Sequence, residues 1–299
     1  MKQIYLHCGI SKQGHYDALQ REQRRQSLAL SYLGLMVECR GIHPGMGLRT
    51  MYAQLKPEGI GRDAFIALGL REGFRLRPLT NAKRTTYAVK NCRYGNLLAS
   101  HRFKGVNQVW VSDLFYFTKF DQHLYVVLIM DAYSRRIVGY SAADNMRAEN
   151  FLAALQMALE LRGIDDYQKQ LIHHSDRGSQ YVSEAYTSTL ETYGIQISMC
   201  RNVLENAHAE RANGTIKNDY LARYHIPGPG HFPKFVGQAV SSYNQRFHHS
   251  LLYSPLEYES LILSTPEEEL DEMQIFTINN SQISDSLGQL GLFDDLSFN

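Results

Sequence analysis

The sequence has little cysteine and no long apolar run. Its four cysteines, Cys8, Cys39, Cys92 and Cys200, lie 31, 53 and 108 residues apart. That spacing excludes a paired zinc-ligand motif and a dense disulfide frame, and it reads as free thiols in a reducing, cytoplasmic setting. No stretch reaches 18 apolar residues, so no membrane span is expected. The opening "MKQIYLHCGISKQGHY" lacks the apolar core of a signal peptide. No glycine-rich phosphate loop stands out, nor any Ser-His-Asp or Cys-His arrangement, which removes the usual grounds for nucleotide-cradling or covalent-nucleophile chemistry. Two absences are local. Residues 75–104 hold no Asp or Glu, and residues 261–299 hold no Lys or Arg.

What is there is ordinary in bulk and uneven in distribution. The 299 residues are 44% hydrophobic and 20% charged, enough for one large domain or two modest ones with a true core. The net charge of +1 conceals a split. Residues 1–105 carry 18 Lys and Arg against 6 Asp and Glu, whereas residues 261–299 carry 8 acidic residues. A basic front end implies a polyanionic partner, because Lys and Arg gain affinity by displacing counterions from phosphates.

Leu48, Met51, Tyr52 and Leu55 recur at helical spacing, Pro57 to Gly61 interrupt, and Phe65, Ile66, Leu68, Leu70 and Phe74 mark a second short helix. Preceded by a helix to about residue 40, this is a small α-helical, helix-turn-helix-like region over 1–74. Residues 75–105 show little periodicity and read as a basic linker. From 106 the pattern changes. "VWVSDLFYF", "LYVVLIMDAY" and "RIVGYSA" read as three sequential strands, followed by a helix over 148–163, a strand at 171–176, a helix at 183–193, a strand at 195–200 and helices from 206 and 233. The order β-β-β-α-β-α-β-α-α predicts an α/β, ribonuclease-H-like domain over 106–260, a mixed five-stranded sheet with flanking helices. Residues 261–299 read as an acidic, largely unstructured tail.

Three carboxylates are candidates for chemistry. Strand alternation puts Asp113 on one face with Val109, Val111, Phe115 and Phe117, where an ionised carboxylate costs several kcal/mol unless it is paired or bound to metal. Alone, a buried structural Asp is the simpler explanation. Asp176 ends a strand ahead of Gly178, and alone it reads as a turn residue. Glu210 lies on a helix, with Gly214 and Lys217 on its face. Gly214 in mid-helix costs about 1 kcal/mol relative to Ala, which points to close backbone approach. Together, oxygen donors of this kind suit two Mg²⁺ or Mn²⁺ ions, which about 3.5–4 Å apart can support phosphoryl transfer without a protein general base. Asp131 and Asp144 also end strands; Asp131 reads as structural, able to bond its own turn or Arg135. His173 and His174 read as packing.

"NQVWVSDLFYF", "HHSDRGSQYVSE" and "NAHAERANGTIKNDYL" resemble the retroviral-integrase-type core of bacterial insertion-sequence transposases, and more narrowly the downstream reading frame of insertion-sequence family three. "YNQRFHHSLLYSPLEY" is similar to that family's closing motif, and "GISKQGHY" and "HPGMGLRTMYAQL" to its helix-turn-helix segment. The likeness covers about residues 5–258. It implies a catalytic and metal-binding triad of Asp113, Asp176 and Glu210, and strand cleavage and transfer of double-stranded DNA at element ends and target. It also implies a homo-oligomer on DNA and an upstream-frame protein as fusion or partner. Lys217 matches a DNA-contacting position. Further candidate DNA contacts are Arg177, Arg211, Lys83, Arg84 and Arg93. Asp176 and Glu210 are separated by 33 residues, two fewer than is usual in the family. Phe115 stands where Thr is common, and Phe247-His248-His249 stands where Arg-Pro-His is common. Two other functions fit the same residues, a nuclease of this fold without joining activity and a DNA-binding regulator with a dead core.

Overall fold

The computed structural model describes residues 9, 11–77, 93–99, 101–200 and 207–275. The chain divides into two compact units, residues 1–80 and 81–299.

The first unit is helical: α1 (Lys12–Ile42), α2 (Leu48–Leu55) and α3 (Arg62–Arg71). Ser11 caps α1 by accepting from the Gly14 N–H at 2.9 Å. Met36 and Cys39 of α1, Met51 of α2 and Phe65 and Leu68 of α3 make its core. Tyr32 donates to the Glu58 carbonyl at 2.7 Å and pins the turn between α2 and α3. The helix-turn-helix spacing seen in the sequence is thus realised as two short helices packed on the C-terminal third of a long one. Leu70, one of the periodic residues, faces solvent.

The second unit opens with β1 (Arg102–Phe103) and then builds a five-stranded sheet from β2 (Val109–Lys119), β3 (Gln122–Asp131), β4 (Ile137–Ala143), β5 (Ile172–Ser175) and β6 (Gln196–Met199). The spatial order is β4-β3-β2-β5-β6, antiparallel through the first three and parallel where β2 meets β5 and β5 meets β6. The two-residue turn Phe120-Asp121, both at positive φ, closes the β2–β3 hairpin. This mixed order is the ribonuclease-H-like arrangement expected from the strand succession.

Helices cover both faces. On one side α4 (Ala148–Arg162) and α5 (Glu184–Thr192) pack on Trp110, Val127 and Ile129. Gly139 of β4 lies against the Ala154 carbonyl, too close for any Cβ, so glycine sets how near α4 approaches the sheet. On the other side α6 (Ala207–Thr215) and α7 (Phe232–Asn244) pack on Val109, Val111, Phe115 and Phe117. After α6 the chain widens into a π-helical segment, Ile216–Leu221, with Ala222 N–H bonded to the Lys217 carbonyl five residues back. The single helix expected from 206 therefore changes phase at its midpoint.

Helix α8 (Pro255–Ser264) closes the unit through a capping box between Ser254 and Glu257. Its Glu259 is buried with Asp131 and Arg162. Arg162 donates to both Glu259 oxygens at 2.7 and 2.9 Å and to Asp131 at 3.4 Å.

The structure departs from the sequence reading at both flanks. The stretch read as linker ends inside the second unit: Leu98 is buried, Leu97 N–H donates to Ser198 Oγ at 2.9 Å, and Phe103 is core. The stretch read as an unstructured tail is ordered through residue 275. There β7 (Met273–Gln274) pairs antiparallel with β1, and Tyr133 donates to the Asp271 carbonyl at 2.8 Å. Both pieces are too short to show a period of their own and are held by tertiary pairing. Residues 276–299 lie outside the described set. Among the described residues no helix is long and apolar enough to cross a membrane.

Candidate active site

Asp113 sits at mid-strand in β2, on the face that α6 covers. One carboxylate oxygen accepts from the Leu114 N–H at 3.0 Å, the other from the Asn213 side-chain amide at 2.9 Å. No Arg pairs with it among the described residues, so ion pairing is not what keeps it in an apolar strand.

Asp176 follows β5, whose His174 pairs with Val111 of β2. The register, two residues further on, sets mid-strand Asp113 beside Asp176, just past the end of the parallel neighbour β5. Asp176 Oδ1 accepts from the Gly178 N–H at 2.9 Å. The turn reading of this residue is correct, and it leaves the second oxygen unused by that turn. A Cβ at position 178 would lie 3.0 Å from Asp176 Oδ1, so glycine gives the carboxylate room. Glu210 is an exposed residue of α6, one turn ahead of Asn213.

The three carboxylates act on one another. Burial pushes Asp113 up to about 8, helped by the charges of Asp176 and Glu210, while the Leu114 and Asn213 donors pull the other way. Burial also raises Asp176, opposed by the Gly178 N–H. The donor set is oxygen only, which suits a hard divalent cation. Among the described residues no three His, Cys, Asp or Glu side chains stand close enough to form a ready-made metal cage.

The other candidates fall away from this point. His173 turns to the α4–α5 side and hydrogen-bonds Tyr186 at 2.9 Å; burial, and next the His174 charge, lower it to about 3. His174 bonds Ser198 on β6 at 2.9 Å. Both histidines are packing residues. Asp131 is fully buried and accepts from the N–H groups of Asn107, Tyr133 and Ser134, so it does bond its own turn; its cation is Arg162 rather than Arg135. Asp144 is exposed.

Of the candidate DNA contacts, Lys217 holds its ammonium 4.9 Å from the Tyr116 ring centre, three residues along β2 from Asp113. Arg177 follows Asp176 directly and donates to the Cys200 carbonyl at 3.0 Å. Arg211 and Arg93 are exposed. Lys83 and Arg84 lie outside the described residues. At Gly214 a Cβ would meet nothing within 4 Å among the described residues, so no close approach among them accounts for that glycine.

Sequence reasoning missed Asn213. The signal for it was the Glu210-x-x-Asn213 spacing, which puts the amide one turn from the glutamate on the side facing β2.

The Integrase core domain family model matches residues 104–203. The IS600 insertion-element 31 kDa protein of Shigella sonnei is 32% identical over 253 residues, covering 82% of this chain and 92% of that protein. The putative transposase for insertion element IS986/IS6110 of Mycobacterium tuberculosis is 31% identical over 269 residues, covering 84% and 95%. The chain belongs to the insertion-sequence transposases. Its core is of the integrase type, and DNA transposition is the class of function. Among solved structures, the catalytic core domain of HTLV-2 integrase in complex with magnesium aligns at 19% identity with a TM-score of 0.43, over 55% of this chain and 99% of that one.

Proposed function

We propose that this transposase cleaves DNA at the ends of its element and joins the freed 3′-OH to target DNA in a divalent-metal-dependent reaction, with Asp113, Asp176 and Glu210 as the metal-holding carboxylates. The observation that supports the reading is the Asn213–Asp113 hydrogen bond, which ties α6, the helix of Glu210, to the strand of Asp113. Three mutually repelling carboxylates on a strand middle, a strand exit and a helix are costly to ionise together, and a cation removes that cost. Bound there, two Mg²⁺ or Mn²⁺ ions supply Lewis acidity to the attacking and leaving oxygens of phosphoryl transfer.

The chain's own residues position and neutralise. Asn213 holds one oxygen of Asp113 in a fixed direction, and the Gly178 N–H does the same for Asp176. Lys217, Arg177 and Arg211 offset phosphate charge around the carboxylates, and Lys83, Arg84 and Arg93 are further candidate phosphate contacts. Water breaks the first phosphodiester, leaving a 3′-OH and a 5′-phosphate. The 3′-OH then attacks a target phosphodiester, forming one ester bond as another breaks. Duplex DNA is the partner, bound by a homo-oligomer, with an upstream-frame protein as fusion or companion.

The test is a joining assay. A duplex bearing the terminal repeat that flanks the reading frame is supplied precut, with target DNA and Mg²⁺. Joined product is expected from the wild type, none from Asp176→Asn, and equal DNA binding from both. Nicks without joining identify a nuclease; transfer by Asp176→Asn rejects the triad.

A further inference from the structure

Helix α1 begins as a bare arm. From Lys12 to Leu28 it buries no residue, and its buried residues start only with Tyr32, Met36 and Cys39, which pack on α2 and α3. About five turns of lone helix gain little by themselves in water, because most helical stability in proteins comes from packing one face. The side-chain pairs along the arm, Gln13 with Asp17 and Gln26 with Glu22, are exposed and contribute little each. The arm calls for a partner.

An unused face runs the length of the helix. Tyr16, Leu19, Leu30 and Val37 are 48, 45, 70 and 61% exposed. With Gln23, Gln26 and Gly34 they follow one another at steps of three or four residues, which puts all of them in one straight stripe. Tyr32, Met36 and Cys39 fall on the opposite side, towards α2 and α3. At Gly34 a Cβ would meet nothing within 4 Å among the described residues, so packing among them does not account for a glycine in mid-helix. From Tyr16 to Val37 the stripe carries no charge, and Arg21, Arg24 and Arg25 point from other faces. A polyanion is therefore not what this face fits.

A second α1 does fit it, when the two helices run antiparallel about Gln26 and Ser27. Leu19 then lies over the partner's Gly34, Tyr16 beside the partner's Val37, and Gln23 beside the partner's Leu30. Lys12 comes within one turn of the partner's Glu38, opposite charge to opposite charge. Each bare arm lies along the half of the other helix that α2 and α3 hold in place. A parallel pair loses all of this: Lys12 meets Lys12, the arms meet only each other, and the space at Gly34 faces another glycine. The shared face is about 45 Å long and about 10 Å wide, so the two copies bury on the order of 900 Å², small for a specific interface. A dimer of micromolar affinity is expected.

We infer that α1 is a dimerisation helix, pairing antiparallel with a second copy of this chain through the stripe from Tyr16 to Val37. This pairing rests on the homo-oligomer reading of the transposase and assigns the face through which two copies meet. It does not depend on the carboxylates.

The experiment is sedimentation equilibrium of the full chain without DNA, between about 1 and 100 μM. The wild type is expected to pass from monomer to dimer over that range. Leu30→Glu and Val37→Glu should each raise the dissociation constant at least about tenfold, because a carboxylate is then buried between the helices. Thermal unfolding at the lowest concentration should match the wild type, since both positions are exposed. Cysteine variants read the direction. Under mild oxidation Gln26→Cys should give a covalent dimer beyond the wild-type background. Leu30→Cys should not, because antiparallel pairing sets its two copies about 10 Å apart along the axis, beyond disulfide reach. A wild type that stays monomeric overturns the pairing and leaves the metal chemistry, which the joining assay reads separately. Dimers of wild-type affinity in both Glu variants overturn the stripe while the homo-oligomer stands. A covalent dimer of Leu30→Cys overturns the antiparallel arrangement.

Discussion

The Asn213 side-chain amide donates to Asp113 Oδ2 across 2.9 Å, joining helix α6 to the middle of strand β2. This bond fixes the orientation of the most central carboxylate and the depth at which Glu210, one turn away, stands over the sheet.

Asn213→Ala should therefore act on metal use. The lost hydrogen bond costs about 0.5–1.5 kcal/mol in stability while Asp113 holds its proton. Joining activity should fall about 10- to 100-fold at limiting Mg²⁺, as it does when residues that orient metal ligands are removed, with partial recovery at high Mg²⁺. A Mg²⁺ titration of joining rate checks it. A uniform loss at all Mg²⁺ concentrations would assign Asn213 to folding alone.

The Asp113 carboxyl has a sign that can be tested by pH. Its folded-state pKa of about 8 lies above its ordinary 3.8, so the folded protein keeps a proton that the unfolded chain has released. The stability from this group is fully present below about pH 4 and is lost as pH rises towards 8. In EDTA, Asp113→Asn should escape that loss. The variant should be more stable than wild type by about 1–3 kcal/mol at pH 8.5, since a tenfold change in proton affinity corresponds to about 1.4 kcal/mol and relaxation of the site recovers part of the cost. The gap should vanish near pH 4. Mg²⁺ should raise the wild-type melting temperature and not that of the variant. Melting curves at several pH values decide it.

Arg162 supports two buried carboxylates at once, Asp131 and Glu259. Arg162→Met should destabilise the second unit by about 3–5 kcal/mol, because Asp131 is left buried without its cation and Glu259 keeps only Arg136. Urea unfolding measures this. Adding Glu259→Gln to that variant should recover part of the loss.

Gly214→Ala should be stabilising by about 0.5–1 kcal/mol, since the position is helical and a methyl group meets open space. A lower stability would mean that the helix is distorted at 214. If DNA binding falls while stability rises, the glycine serves the DNA.

The fold was legible where periodicity is strong. Strands β2 and β3 and helix α4 carry long alternating or helical patterns, and their succession specifies the sheet order. Asp113 was legible because a period of two sets a charge among apolar neighbours. Asp176 was half legible: its turn bond to Gly178 is local, while its relation to Asp113 needs the parallel pairing of β2 and β5. Asn213 was not, because Asn in a helix carries no periodic signal and its partner is 100 residues away. The π-helical step after Thr215 was hidden for a similar reason. Its Ile216, Tyr220 and Leu221 are all core residues, and no residue preference marks the step. The β1–β7 pair was read as linker and tail because two residues cannot show alternation.

That small pair reaches beyond its size. Arg102 and Gln274 face each other, so the chain enters and leaves the catalytic unit at one seam. An excised unit trimmed at 106 and 260 cuts away both sides of the seam, Phe103 with it, and uncovers Tyr133. One trimmed at about 93 and 275 keeps it shut.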